Sequence, residues 1–155
     1  MGLTGRYAYF QMKAPTSSSP FSFHLDLALK DRATGVRISC SNLYKRLSSH
    51  NQFSLQVPIN LSLNQWSVVV LDLVQLLKVS GLLPPEYMIA GSFKVKQIML
   101  CACAVYRGIY TSDILYDFVT LPPEMRFKFN FEITKWPEQF TWTELPSAIE
   151  VGQAG

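Results

Sequence analysis

The sequence predicts an all-β domain, an antiparallel β-sandwich or jelly roll with one or two short helices. Several short stretches alternate apolar and polar residues with a period of two, as strands with one buried face do. Turn-forming residues separate these stretches at short intervals. Hydrophobic residues make up 48% of the 155 residues and aromatic residues 13%, enough to fill a core between two sheets.

Residues 21–29 form the clearest one-sided strand, because phenylalanine and leucine alternate there with Ser22, His24, Asp26 and Ala28. Alternating or β-branched stretches predict further strands, and residues 53–59 contain Pro58, which favours an edge strand or a strand end. Residues 42–46 read as a break, and residues 74–79 as one or two helical turns. The further predicted strands are residues 6–13, 36–41, 53–59, 66–73 and 126–133, the last as a strand or an extended arm. In total, seven or eight strands are expected.

Residues 93–110 are expected to form the strand at the centre of the core. From Phe93 onward, odd-numbered residues to Val105 would point one way and even-numbered residues the other. Both faces turn apolar after Lys94 and Lys96, which is typical of a strand covered on both sides. The loop Thr111-Ser112-Asp113 would then bring the chain to the surface.

The length predicts one domain, residues 1–146, followed by a disordered tail, residues 147–155. Charged residues account for 16% of the chain, against about 25% in ordinary globular domains. Either part of the surface is used for contacts, or the domain simply has a large core.

Charge is distributed unevenly along the chain. Residues 1–112 contain 11 basic and 4 acidic residues, and residues 113–155 contain 3 basic and 7 acidic ones. A basic face of this kind can attract an acidic partner, although ordinary solvated charge explains it equally well. No run of consecutive basic residues predicts a nucleic-acid-binding arm, and no nucleic-acid partner is expected. The candidate contact residues are Arg37, Lys45, Arg46, Lys94, Lys96 and Arg107.

The cysteine pattern favours a reducing compartment such as the cytoplasm. Cys40, Cys101 and Cys103 are odd in number and lack C-x-x-C spacing, so a disulfide framework is not expected. No signal peptide opens the chain and no apolar run reaches the ~18 residues of a membrane span, so no membrane partner is expected.

Catalytic, metal and cofactor chemistry is not predicted. His24 and His50 are scattered, and with three cysteines they do not suggest a zinc site. Nucleotide-binding and nucleophile-elbow motifs are lacking. Asp113 and Asp117 are interpreted as a turn former and a solvated charge rather than a catalytic pair. The chain is therefore not expected to be an enzyme.

Aromatic residues suggest a second function, the binding of sugars or single-stranded nucleic acid on an aromatic platform. Core packing is the more common use of such residues in a β domain. A glycan-binding or general protein-interaction module is nevertheless the alternative to the function predicted below. The aromatic candidates are Tyr7, Tyr9, Trp66, Trp136 and Trp142.

Short stretches carry a family resemblance. They are Leu3-Thr4-Gly5-Arg6-Tyr7, Trp66 with Leu71-Asp72-Leu73, and Ile109-Tyr110-Thr111-Ser112-Asp113 followed by Leu121-Pro122. Their order and spacing over residues 2–124 resemble the domain of cilia- and flagella-associated inner-junction proteins. Within that family they look closest to the N-terminal domain of the centriolar WD-repeat members, the proteome-of-centriole type.

The resemblance implies a β-sandwich similar to carbohydrate-binding modules, with no catalytic activity and no cofactor. The free-standing family member sits where the A- and B-tubules of doublet microtubules join, and the centriolar one is taken to brace the inner centriole wall. The implied function is a structural, microtubule-binding module that contacts tubulin and other centriolar or axonemal proteins. The implied location is the cytoskeleton: the centriole, the basal body or the ciliary axoneme.

Family members carry a further segment before the Leu3-Thr4-Gly5 stretch. If that segment supplies strands, the sandwich here would lack N-terminal strands or have a sheet edge covered by a neighbouring chain. WD repeats do not follow the domain, so the chain would be either a free-standing protein or a fragment of a WD-repeat protein.

Overall fold

The computed structural model describes residues 3–13, 20–29, 35–51, 53–61, 65–79, 93–101, 104–117, 119–125 and 140–145. These residues form nine strands, one short α-helix and one 3-10 turn, Pro123–Met125. The elements are β1 Tyr7–Lys13, β2 Ser22–Leu29, β3 Val36–Ser41, β4 Ser48–Asn51, β5 Ser54–Pro58, β6 Trp66–Asp72, α1 Leu73–Val79, β7 Phe93–Leu100, β8 Val105–Ser112 and β9 Phe140–Leu145. The all-β prediction is confirmed. Within the described ranges, no helix is both long and apolar enough to cross a bilayer.

The strands form two sheets. One has the order β8-β1-β6-β9 and the other β4-β5-β3-β2-β7. Most neighbouring strands are antiparallel, but β3 pairs with β5 and β6 with β9 in parallel. The β3–β5 pairing follows from chain direction, because β4 lies between them in sequence and turns back to pair antiparallel with β5. Pro58 ends β5, which agrees with the strand-end alternative.

The core lies between the sheets and follows from the alternation in β2. Phe23, Leu25 and Leu27 are at most 1% exposed, whereas the residues between them are half-buried. Phe23 stacks on Phe10 of β1 across the core, with ring centroids 4.4 Å apart. Cys40 of β3 lies in the same core, and burial raises the pKa of its thiol. Burying each large apolar side chain contributes about 1.5–3 kcal/mol, so this layer is the main source of stability.

The expectation of one central strand over residues 93–110 is wrong. The chain forms β7 at the edge of one sheet and β8 at the edge of the other. Met99 and Leu100 of β7 are 42% and 43% exposed and Val105 of β8 is 56% exposed, so neither strand is covered on both sides. The apolar run therefore includes the end of a strand in one sheet and the start of a strand in the other.

A β-bulge also overturns the predicted alternation in β7. Asp26 pairs with Gln97 and Leu27 with Val95, which leaves Lys96 as the additional residue. Val95 is buried, but beyond the bulge Gln97 is exposed and Ile98 packs against the core. The facing of residues 97–100 is therefore the reverse of the prediction.

A second, smaller core covers the outer face of the four-stranded sheet. Residues 113–117 and 119–125, here called the covering segment, follow β8 and place Leu121 and Met125 against Tyr9, Val68 and Val70. The Tyr9 hydroxyl donates to the Ile114 carbonyl and accepts from the Tyr116 amide, both at 2.8 Å. This outer face is therefore occupied by the chain itself.

Some predicted segments lie outside the described residues. These are the strand at residues 126–133, Trp136 and the tail at residues 147–155. β9 lies between Trp136 and the tail and was not predicted, because Pro137 and the surrounding aromatic residues give no clear alternation.

Candidate interaction surface

The outer face of the five-stranded sheet brings charged residues of three adjacent strands together. Lys94 and Lys96 are exposed on β7, Asp26 lies on the neighbouring β2, and Arg37 is on β3. Asp26 pairs across the sheet with Arg37 on one side and Gln97 on the other. The surface made by these five residues is called the charged face below.

Arg37 and Asp26 form a two-point ion pair on the charged face. Arg37 Nε donates to Asp26 Oδ1 at 2.7 Å and Nη2 donates to Oδ2 at 3.1 Å. The hydrogen bond from Arg37 lowers the pKa of Asp26, and the nearby Lys96 lowers it slightly further. Asp26 therefore stays ionised at neutral pH, and the positive charge of Arg37 is largely compensated. Exposed pairs of this kind contribute at most about 1 kcal/mol.

Lys94 and Lys96 supply the uncompensated charge. Within the described part of the chain, no ion pair involves either lysine. A groove of about 280 Å³ opens beside Lys96, lined by Asp26, Arg37, Gln97 and Phe53. The face therefore offers a net positive groove with one apolar wall, which suits a carboxylate-bearing partner.

The six predicted contact residues do not form one patch. Arg37, Lys94 and Lys96 share the charged face, and the exposed Lys45 and Arg46 lie on the loop between β3 and β4. Arg107 is exposed on β8, in the other sheet. The structure thus brings together half of the predicted residues. It adds Asp26, which alternation predicted on the outer face of its strand, and Gln97, which alternation predicted on the same face as Phe93. The sequence did not show which strands these two residues would lie beside.

The aromatic candidates contribute mainly to packing. Tyr9 is 1% exposed, and Tyr116 and Trp142 lie against it with ring centroids 6.0 Å and 6.4 Å away. Trp66 packs beside this second core and carries the Lys13 ammonium 5.9 Å from its ring centroid. Tyr7 similarly lies under the Arg6 guanidinium, 5.2 Å from its ring centroid. The packing interpretation is confirmed for Tyr9.

His24, Asp113 and Asp117, the polar residues discussed above as metal-binding or catalytic candidates, make hydrogen bonds within the fold. His24 Nδ1 lies 2.9 Å from the Ser39 hydroxyl. Asp113, interpreted as a turn former, accepts a hydrogen bond from the Arg6 amide. Asp117 Oδ1 accepts hydrogen bonds from the Thr120 amide and hydroxyl and from the Val119 amide, and these bonds lower the pKa of Asp117. In the ranges that the structure covers, no three His, Cys, Asp or Glu side chains are grouped closely enough to hold a metal ion.

Parts of three stretches behind the family resemblance, around Arg6, Asp72 and Ser112, meet at one end of the four-stranded sheet, whereas Trp66 lies opposite Lys13 at the other end. Tyr7 pairs with Asp72 on β6 and with Ser112 on β8. Arg6 Nε and Nη2 each donate to an Asp72 carboxylate oxygen at 2.9 Å, and the Arg6 amide donates to Asp113 Oδ1 at 3.1 Å. Residues far apart in sequence thus fix one another in a cluster, here called the motif junction.

Backbone contacts complete the motif junction. The Leu73 amide donates to the Arg6 carbonyl at 2.9 Å, and the Thr111 hydroxyl donates to the Thr4 carbonyl at 3.1 Å. Gly5 has a φ of +151°, and a Cβ there would lie 2.8 Å from the Ser112 amide nitrogen. These residues hold the fold together and are a poor guide to the contact surface.

Replacing Asp72 with alanine is expected to lower the free energy of unfolding by about 1–2 kcal/mol. Asp72 precedes α1, and its Oδ1 accepts a hydrogen bond from the Gln75 amide at 3.1 Å, the geometry of a helix N-cap. The variant loses this cap and the bond to Arg6. Urea denaturation measures the loss. Asp72→Asn is the control, since asparagine also caps helices; an equal loss in both variants would contradict the capping role.

Fold and surface together define a class: a β-sandwich domain with one covered face and one charged face. Residues 1–129 match the CFA20 domain, so the chain belongs to the CFA20 domain family. It is similar to WD repeat-containing protein 90 of Homo sapiens, with 33% identity over 131 residues, which cover 76% of this chain and 7% of that protein. It is also similar to Centriole proteome protein 16 of Chlamydomonas reinhardtii, with 29% identity over 126 residues, 81% of this chain and 6% of that protein. The chain spans less than a tenth of the length of these relatives.

Proposed function

We propose that this domain is a non-catalytic structural module of the centriolar or ciliary microtubule wall, and that it binds tubulin through basic surface residues. Membership of the CFA20 domain family, with a relative named as a centriole proteome protein, carries the proposal. The proposed location is the cytoskeleton, at the centriole, the basal body or the axoneme.

The charged face supplies the chemistry for this binding. The surface of tubulin is acidic, and Lys94 and Lys96 offer two ammonium groups that no described carboxylate pairs with. Asp26 forms its two hydrogen bonds with Arg37, so the charged face keeps a net positive charge. Contacts between exposed charges are individually weak and screened by salt. Binding is therefore expected to depend on many such contacts along the lattice.

The covering segment favours this face over its opposite. Leu121 and Met125 occupy the outer side of the four-stranded sheet, which leaves the five-stranded sheet to present its polar side chains outward. Lys45, Arg46 and Arg107 lie away from the charged face and would act as secondary contacts.

Charge reversal at Lys94 and Lys96 is expected to weaken binding to taxol-stabilised microtubules about tenfold, because two attractive contacts become repulsive. Co-sedimentation at about 0.05 M and about 0.3 M salt measures it, and wild-type pelleting should fall at the higher salt. Lys78→Glu is the control, since this exposed lysine lies in the last turn of α1 and is not one of the candidate contact residues. The melting temperature of every variant should stay near that of the wild type.

Other outcomes would count against parts of the proposal. Failure of the wild-type protein to pellet at low salt would refute microtubule binding itself. Pelleting that survives reversal of Lys94 and Lys96 but is lost with Lys45→Glu and Arg46→Glu would move the contact to the loop between β3 and β4.

A further inference from the structure

The turn between β3 and β4 holds an exposed leucine in a fixed position. Leu43 is 67% exposed. The Ser41 hydroxyl donates to the Phe21 carbonyl at 2.8 Å and accepts a hydrogen bond from the Leu43 amide at 3.1 Å. The Phe21 amide in turn donates to the Asn42 side-chain oxygen at 3.0 Å. Because this turn is already ordered, a contact made through Leu43 would lose little conformational entropy.

Two cations accompany Leu43 in the turn. Lys45 and Arg46 are exposed, and residues 42–49 contain no acidic residue. A single exposed leucine is ordinary on a protein surface. An exposed leucine beside two cations, however, provides an apolar centre with a charged rim, which is the arrangement of a protein interface. Residues 42–46, here called the basic turn, therefore suit a surface that is both apolar and acidic.

The covering segment offers a surface of that kind. Ile114, Leu115 and Val119 are exposed although they are large and apolar. Residues 113–125 contain three acidic residues and no basic residue, and all three acidic residues are exposed. The acidic residues are Asp113, Asp117 and Glu124. These six exposed residues are called the acidic patch below.

Hydrogen bonds to the sheet bring the two ends of the covering segment together. Tyr9 and Tyr110 are paired directly across β1 and β8. The Tyr9 hydroxyl donates to the Ile114 carbonyl at 2.8 Å, and the Tyr110 hydroxyl donates to the Glu124 carbonyl at 3.2 Å. The hydrogen bonds that Asp117 accepts lower its pKa, so its carboxylate stays ionised at neutral pH. The acidic patch is therefore one anchored, negatively charged surface.

The basic turn and the acidic patch belong to different sheets of the domain. The basic turn follows β3 of the five-stranded sheet, whereas the acidic patch covers the outer face of the four-stranded sheet. A contact between two different surfaces of identical copies leaves one surface of each kind free for the next copy.

We propose that copies of this domain associate head to tail. Leu43 of one copy packs against the apolar side chains of the acidic patch of the next copy, while Lys45 and Arg46 face its carboxylates. Complementary charge selects the partner surface, and the apolar contact supplies the affinity. This association does not rest on tubulin binding.

Sedimentation equilibrium of the whole chain tests the association. At about 0.05 M salt the average mass should rise with protein concentration above the 17.6 kDa of one copy. It should pass the mass of a dimer without levelling off, because a head-to-tail contact leaves free ends. The association should weaken at about 0.3 M salt. A single copy at every concentration, or a plateau at the dimer, would overturn the proposal.

Leu43→Ala tests the apolar anchor without changing any charge. Association should weaken about tenfold, because the contact loses the side chain at its centre. Met99→Ala is the control, since Met99 is also a large exposed apolar residue but lies on β7. It should leave the association at the wild-type level. Equal association of the Leu43→Ala variant and the wild type would overturn the proposal.

Two charge-reversed variants provide a rescue test. Combined Lys45→Glu and Arg46→Glu makes both surfaces acidic, and combined Asp113→Lys and Glu124→Lys makes both basic. Each variant alone should associate about tenfold more weakly than the wild type, because like charges then face each other. An equimolar mixture should recover the association, which unfolded variants could not do. A mixture that stays as weak as its components would contradict head-to-tail contact.

Adding Leu43→Ala to both charge-reversed variants separates specific contact from general attraction between oppositely charged proteins. Net charges stay the same, but the recovered association should fall about tenfold. Equal recovery without Leu43 would refute the proposed contact. Combined Lys94→Glu and Lys96→Glu, which is expected to weaken microtubule pelleting, should leave self-association unchanged. Loss of pelleting and loss of self-association therefore belong to different variants, and either proposal can fail alone.

Discussion

Replacing Phe23 with alanine is expected to lower the free energy of unfolding by about 3–5 kcal/mol. Phe23 is fully buried, stacks on Phe10 and makes an edge contact with Tyr106 at 6.3 Å between centroids. Its removal leaves a cavity between the two sheets that neither rigid layer can close. Denaturant titration followed by tryptophan fluorescence measures the change.

Leu43→Ala is the matched control for Phe23, because Leu43 is 67% exposed and its truncation should be nearly neutral. The double-mutant cycle of Phe10→Leu with Phe23→Leu adds a second test. A coupling of about 0.5–1.5 kcal/mol is expected for stacked rings in contact. A loss below about 1 kcal/mol for Phe23→Ala would contradict its place in the centre of the core.

Replacing Gly5 with alanine is expected to cost about 3 kcal/mol and to lower the melting temperature by roughly 6–12 °C. The φ of +151° is strained for any residue with a Cβ, and the added methyl group would lie 2.8 Å from the Ser112 amide nitrogen and 3.1 Å from its carbonyl carbon. Both neighbouring atoms are backbone in a paired strand, so they cannot move aside without disturbing β8. Thermal denaturation monitored by circular dichroism measures the shift.

Thr4→Ala is the control beside Gly5, because Thr4 is exposed and only its carbonyl takes part in the motif junction. Its melting temperature should stay within about 2 °C of the wild type. Should Gly5→Ala match this control, the tight approach of residues 5 and 112 would not be a feature of the folded protein.

Local alternation was sufficient to predict five of the strands, β1, β2, β3, β5 and β6, but not β4 or β9. In β2, Phe23, Leu25 and Leu27 alternate with polar residues, and the pattern alone assigned their faces correctly. β3 was predicted with its observed bounds, and the helix α1 within one residue. These features depend on side chains within one element, which the sequence displays directly.

Pairing between distant strands could not be predicted in the same way. No residue near Lys96 signals a bulge, since the bulge arises from the register with Asp26 and Leu27. The apolar run from Ile98 to Val105 predicts one buried strand, because no glycine or proline marks the point where the chain passes from one sheet to the other. Parallel neighbours such as β6 and β9 are separated by a long connection, and nothing local identifies them as partners.

The charged face illustrates the same limit. Sequence supplied the basic residues, but the compensation of Arg37 by Asp26 requires knowing that β2 and β3 are neighbours. The resemblance rested on residues such as Arg6 and Asp72, and the structure places them in the motif junction. The positions that carry the family resemblance are therefore not the positions proposed to bind tubulin.

The buried thiol of Cys40 can report when the core opens to solvent. Alkylating reagents attack the thiolate, and the folded domain both shields this sulfur from solvent and keeps it protonated. Modification at this position therefore requires the two layers to separate. Mass spectrometry of the peptide containing Cys40 would then count the molecules that have opened, in samples too dilute or too complex for spectroscopy.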